Sequence, residues 1–137
     1  AARYGHVEVV KNLLQDSRVD PSTCNNAAIQ DAASNGHVEV VKILLEDSRV
    51  DPSVWDNCSV QYAASRGHLE VVKMLLQDSR VDSSACDNSA VRCAAKRGHV
   101  EVVKFLLQDS RVDPSDSDND VIRCASINDH IEVVKIL

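Results

Sequence analysis

The sequence predicts an all-α solenoid, a stack of helix-turn-helix repeats joined by short finger loops, and three observations carry that prediction. The first is self-similarity. Gly-His occurs at Gly5-His6, Gly36-His37, Gly67-His68 and Gly98-His99, with Asp129-His130 as a fifth copy, always at a step of 31 residues. The string D-S-R-V-D starts at Asp16, Asp47, Asp78 and Asp109 with the same step. A fixed period in this range is the signature of a stacked-repeat architecture. The second is composition: hydrophobic residues make up 44% of the chain but aromatic residues only 3%, with one Trp, one Phe and two Tyr. Cores of that kind suit thin helices packed through Ala, Val and Leu better than a thick globule centred on large rings. The third is the brevity of each helical pattern, about eight or nine residues, too short to persist alone in water. Such units are stable only when neighbours cover their apolar faces, so stability becomes a sum of unit and interface contributions.

The period divides the chain into a partial repeat 1–24, repeats 25–55, 56–86 and 87–117, and a partial repeat 118–137. In the unit 56–86, Asn57 is the expected N-cap of a first helix, its side chain accepting from an orphan helix N–H. Val60, Ala63 and Ala64 recur at helical spacing and give that helix one apolar stripe. Gly67 suits the left-handed residue that ends such a helix. Leu69 to Leu76 then forms a second helix with a wide apolar face of Val71, Val72, Leu75 and Leu76. Glu70 and Lys73 lie three apart on its wet side, a modestly favourable pair. The Asp- and Ser-rich stretch from Asp78 to Asp87 reads as loop. Opening and closing inside repeats, with no polar capping unit, the sequence is expected to be a fragment of a longer array.

The segment Ala63-Ala64-Ser65-Arg66-Gly67-His68-Leu69-Glu70-Val71-Val72-Lys73-Met74-Leu75-Leu76 resembles the ankyrin repeat, whose core pattern reads A-A-x-x-G-H-x-E-V-V-K-x-L-L. The match recurs in three complete copies and most of two more, covering essentially the whole chain. There are departures. The family period is 33 residues. The usual T-P-L-H is replaced by Ala28-Ile29-Gln30, Ser59-Val60-Gln61, Ala90-Val91-Arg92 and Val121-Ile122-Arg123, which removes a helix-starting proline and a histidine that organises neighbouring repeats. The shortening is expected at the projecting finger, which becomes stubbier, with or without a β-hairpin. In the last copy Ser126 replaces an alanine and Asp129 the glycine; Asp tolerates left-handed geometry, so the turn is expected to survive.

Several function classes are disfavoured. A net charge of −6 and a pI near 5.2 speak against nucleic acid or an anionic membrane, which need clustered cations. No apolar run approaches the roughly 18–20 residues of a membrane span. Five cysteines without paired spacing suggest a reducing intracellular compartment, cytoplasmic or nuclear. The ladder His6, His37, His68, His99 and His130 cannot share a metal, because equivalent residues of stacked units lie about 8–10 Å apart while zinc ligands sit about 2 Å from the ion. A structural role at each inter-helix turn is expected instead. H-x-E in each copy lacks the P-C-x-x-C that accompanies it in zinc deaminases. Cys93 and Cys124, equivalent in adjacent units, are too far apart for a disulfide. Arg18, Arg49, Arg80 and Arg111 run beside Asp20, Asp51, Asp82 and Asp113 and are expected to form a solvated network of small net worth. No phosphate loop, nucleophile elbow or carboxylate pair is recognisable, so neither catalysis nor a cofactor is expected.

Function is sought where the repeats differ. The second helix barely varies between copies, whereas one first-helix position reads Asp31, Tyr62, Cys93, Cys124. Two others read Ser34, Ser65, Lys96, Ile127 and Asn35, Arg66, Arg97, Asn128. The finger tips read Thr23-Cys24, Val54-Trp55, Ala85-Cys86 and Asp116-Ser117. In ankyrin-like stacks these positions line the concave face, so the resemblance implies a groove for a protein partner rather than for a small-molecule substrate. Trp55 and Tyr62 lead the expected contact residues, since Trp and Tyr are enriched at interface hot spots; Asp31, Arg66, Cys93, Lys96, Arg97 and Cys124 complete them. Two alternatives stay open: a structural spacer, in which exposed positions merely drift, and the targeting arm of a larger protein or enzyme.

Overall fold

The computed structural model describes all 137 residues. It contains nine α-helices and no strand: α1 (Val7–Gln15), α2 (Thr23–Ser34), α3 (Val38–Glu46), α4 (Val54–Ser65), α5 (Leu69–Leu76), α6 (Ala85–Lys96), α7 (Val100–Leu106), α8 (Asp116–Ile127) and α9 (Ile131–Ile136), preceded by a 3-10 turn at Ala2–Tyr4. The even-numbered helices pack in succession as one layer and the odd-numbered helices as a second, each even helix also packing on the odd helix that follows it. No helix is long and apolar enough to cross a membrane.

The two layers meet over a single core. Ile29, Val60 and Val91 point into it from the first layer, beside the alanine pairs Ala32-Ala33, Ala63-Ala64 and Ala94-Ala95. The second layer supplies Val40, Val41 and Leu44 and their equivalents, of which Val71, Val72 and Leu75 are completely buried. Paired alanines let helices approach closely, and each fully buried Leu or Val contributes roughly 1.5–3 kcal/mol. The second-layer helices carry Glu in the first turn, favourable for the helix dipole. On their wet side the expected Lys73–Glu70 pair forms at 2.8 Å, and its equivalents recur along the layer.

Gly67 ends α4 with φ +76, and there is a second reason for glycine: an added β-carbon would lie 2.7 Å from His99 Nδ1 of the next unit. Asp129, at φ 57, makes the same turn without glycine.

The fingers differ from a hairpin. After Asp51-Pro52, Asp51 Oδ1 accepts from the Ser53 N–H and hydroxyl (2.9 and 2.6 Å). The Ser53 carbonyl then accepts from the Asn57 N–H (3.0 Å) around three successive left-handed residues, Trp55, Asp56 and Asn57. Right-handed helix resumes at Cys58. The same triplet occurs at Cys24–Asn26, Cys86–Asn88 and Ser117–Asn119. Asx residues tolerate this region best and fill its second and third places in every copy.

These turns explain two corrections to the sequence reading. Asn57 does not cap its own helix: from its left-handed position its Oδ1 accepts the backbone N–H of Asp82 in the next unit (2.9 Å), as Asn26 does for Asp51 (2.9 Å) and Asn88 for Asp113 (3.3 Å). The arginine ladder pairs mainly with the preceding aspartate, Arg49 with Asp47 and Arg80 with Asp78 at 2.6 Å, and meets the later aspartates only across units, as Arg111 meets Asp82 at 3.8 Å. Asp51 and Asp82 are occupied by Ser53 and Ser84. Arg49 and Arg80 also reach back one unit, Arg49 Nη1 to the Val19 carbonyl and Arg80 Nη1 to that of Val50, both at 2.9 Å.

The histidines complete a third set of inter-unit bonds. His37, His68, His99 and His130 meet, through Nε2, the carbonyls of Arg3, Ser34, Ser65 and Lys96 at 2.9–3.1 Å. The histidine after each turn thus ties its unit to the one before it.

Candidate interaction surface

The inter-unit bonds fix the first-layer helices side by side, so equivalent exposed positions form rows across the stack. Three of those helices enclose a polar groove of about 480 Å³. Its walls are Asp31 of α2, Tyr62 of α4, and Arg66 and Arg97 just past α4 and α6, over Gln30, Ser34 and Ser65. Tyr62 and Arg66 share a face because they lie one helical turn apart. Tyr62 is 48% exposed.

Four of the eight expected contact residues therefore meet, and four do not line this groove. Trp55, 70% exposed, opens the left-handed turn of its finger. Lys96 is exposed beside Arg97. Cys93 and Cys124 are half-buried: Cys93 Sγ lies 3.8 Å from Ser89 Oγ, and the Cys124 thiol donates to Asp120 (3.6 Å). Burial, with the Asp120 charge, pushes the Cys124 thiol up, which leaves it a weak nucleophile. All five cysteines are free thiols.

Gln30, Ser34 and Ser65 were not among the expected contacts. Their signal was available, since Ser34 and Ser65 belong to a variable row and Gln30 precedes Asp31. Asp120 is a further addition. It stands where the other copies have Ala27, Cys58 and Ser89, and it pairs with Arg123 (2.6 Å) and Arg92 (3.4 Å). The Arg123 hydrogen bond holds its carboxyl below the ordinary range.

A second depression, of about 300 Å³, is apolar and lies among Val10, Leu13, Leu14, Ala27 and Ala28. It is the space beside α1 that a first-layer helix fills next to every later second-layer helix, so packing geometry accounts for it. No group of three or more His, Cys, Asp or Glu side chains is placed to hold a metal ion.

The model of the family described as ankyrin repeats (3 copies) matches residues 1–87 and 60–137, together the whole chain. No curated protein matches it. Repeats of this kind are in general protein–protein interaction modules. With two helical layers, a glycine–histidine turn at each unit and this match from end to end, the chain belongs to the ankyrin-repeat family.

Proposed function

We propose that this chain recruits a partner protein through the first-layer helices and fingers, with the groove between α2, α4 and α6 at the centre of the contact. The chain acts in this reading as a binding element without chemistry of its own, built from units 25–55, 56–86 and 87–117 between the partial units 1–24 and 118–137. The observation that carries it is the assembly of Asp31, Tyr62, Arg66 and Arg97 from three successive units into one groove. The second-layer helices, by contrast, repeat almost unchanged. Five free thiols support an intracellular setting.

The test is affinity capture with the chain and its Trp55→Ala/Tyr62→Ala variant, each checked for helicity. Both side chains are exposed, so the variant is expected to fold. A partner anchored on such aromatics is expected to lose about 2 kcal/mol or more of binding. Equal retention by both proteins argues against this face.

A spacer role is the second reading, favoured by the near-identity of D-S-R-V-D and of the second helix between copies. Exchanging Asp31, Tyr62 and Cys93 among units separates the two, because a spacer is indifferent to their order.

A further inference from the structure

The first-layer helices end in two ways. At the C-terminal boundaries of α2 and α8, Asn35 and Asn128 turn their side-chain amides back onto their own helices, to the carbonyls of Asp31 (2.7 Å) and Cys124 (2.8 Å). Arg66 and Arg97 hold the same boundary of α4 and α6. Neither guanidinium joins an ion pair, nor does the ammonium of Lys96; the remaining unpaired cations, Arg3 and Lys42, lie elsewhere. A helix C-terminus modestly favours one cation. That does not account for two unneutralised guanidiniums in one groove of a chain of net charge −6. Both arginines line the same groove, whose only carboxylate is Asp31 at the opposite end.

We propose that the groove takes an extended acidic segment of the partner protein, with two of its carboxylates held by Arg66 and Arg97. This rests on the interaction surface proposed above and specifies its ligand. Equivalent residues of helices packed side by side lie about 8–10 Å apart, and an extended segment in the polyproline II conformation rises about 3.1 Å per residue with about three residues per turn, so two carboxylates three residues apart lie roughly 9 Å apart on one face. Each guanidinium offers a planar fork suited to bidentate contact with a carboxylate. Tyr62 lies beside Arg66 and gives the intervening residues an apolar ring to cross. Asp31 repels a further carboxylate, so the acidic end of the segment lies over α6 and a neutral or basic end over α2. A nucleic acid fits less well. Its evenly charged backbone needs a continuous cationic track, and here Asp31 interrupts the groove while Asp56, Asp87 and Asp118 mark the fingers.

The experiment uses short synthetic peptides in a Gly-Ser background, titrated into the 15N-labelled chain and followed by NMR. One peptide carries two Glu three residues apart, one carries them adjacent, and one carries Gln in their place. The spaced peptide is expected to shift the Arg66 and Arg97 side-chain signals and to bind more tightly than either control. Arg66→Gln/Arg97→Gln, at exposed positions, is expected to lower its affinity at least about tenfold, and added salt to weaken it. Equal affinities for the three peptides, indifference to the double variant, or tighter binding of an oligothymidylate at the same residues overturns the proposal. If a partner lost by Trp55→Ala/Tyr62→Ala is captured unchanged by Arg66→Gln/Arg97→Gln, the acidic specificity falls while the interaction surface stands.

Discussion

The imidazole of His99 lies against the α-carbon of Gly67, and its Nε2 meets the Ser65 carbonyl at 3.0 Å. One residue of one unit thus closes the helix end of the previous unit and fills the space that its missing side chain leaves. Gly67→Ala introduces both a β-carbon at φ +76 and an overlap with the ring. A loss of about 2–4 kcal/mol is expected, from left-handed strain together with overpacking. Urea unfolding measures it. In His99→Ala the overlap vanishes, so the double variant is expected to lose less than the sum of the two single losses; strict additivity would show that the residues do not meet.

Asn57 gives a sharper test, because two physical effects act on one side chain. It is left-handed and buried, and its Oδ1 is the acceptor for the Asp82 N–H. Asn57→Gly keeps the backbone geometry but leaves that N–H without its partner, an expected cost of about 1–3 kcal/mol. Asn57→Ala adds the left-handed penalty, a further ~1 kcal/mol or more. Asn57→Asp retains an acceptor and is expected to be the mildest of the three. Equal losses for Gly and Asp would mean that the inter-unit bond contributes nothing.

Acid is expected to weaken the array from many places at once. The Arg49, Arg80 and Arg111 side-chain hydrogen bonds hold Asp47, Asp78 and Asp109 below the ordinary carboxylate range, against burial, which acts the other way. Asp51 and Asp82 are lowered by their bonds from Ser53 and Ser84. Since the folded values lie below the unfolded ones, the unfolded chain takes up protons first as pH falls. The stabilisation is therefore complete above the ordinary Asp value of about 3.9 and disappears as pH drops through the folded values. The urea midpoint is expected to hold near neutrality and fall steeply below about pH 4. Arg49→Gln/Arg80→Gln/Arg111→Gln is expected to flatten that fall; an unchanged pH profile would remove the arginines as its cause.

Most of the scaffold was legible because period and apolar spacing report directly on helix existence and face. Val71, Val72 and Leu75 are buried as their spacing required, and Asp129 keeps the turn of the glycine it replaces. The fingers were not legible. Left-handed triplets usually advertise themselves by glycine, and none stands at Trp55–Asn57. Asn57 has the same identity whether it caps its own helix or reaches to the next unit, and invariance along the repeat fits both. Arg49 stands two residues from both Asp47 and Asp51, and only the direction of the chain at Val50 decides between them. Within the groove, variable rows singled out Asp31, Tyr62, Arg66 and Arg97. The same rows also contained Cys93 and Cys124, whose partial burial depends on neighbours that a single row does not show.

Ser59 is the one buried side chain whose polar atom has no partner: it is completely enclosed in α4, and its Oγ meets no donor or acceptor. The equivalent positions carry Ala28, Ala90 and Val121, so the site accepts an apolar group without rearranging the stack. A buried hydroxyl without a bond costs about 1–3 kcal/mol relative to an apolar replacement of suitable shape, less the small cavity left by its removal. Ser59→Ala is therefore expected to raise stability by roughly 1 kcal/mol, seen as a higher urea midpoint at unchanged slope. A lower midpoint would mean that the hydroxyl has a partner in solution. Because α4 also carries Tyr62 and ends at Arg66, the stabilised chain should present the same groove. Partner affinity is expected to stay constant while the midpoint rises, separating loss of contact from loss of fold in the surface variants.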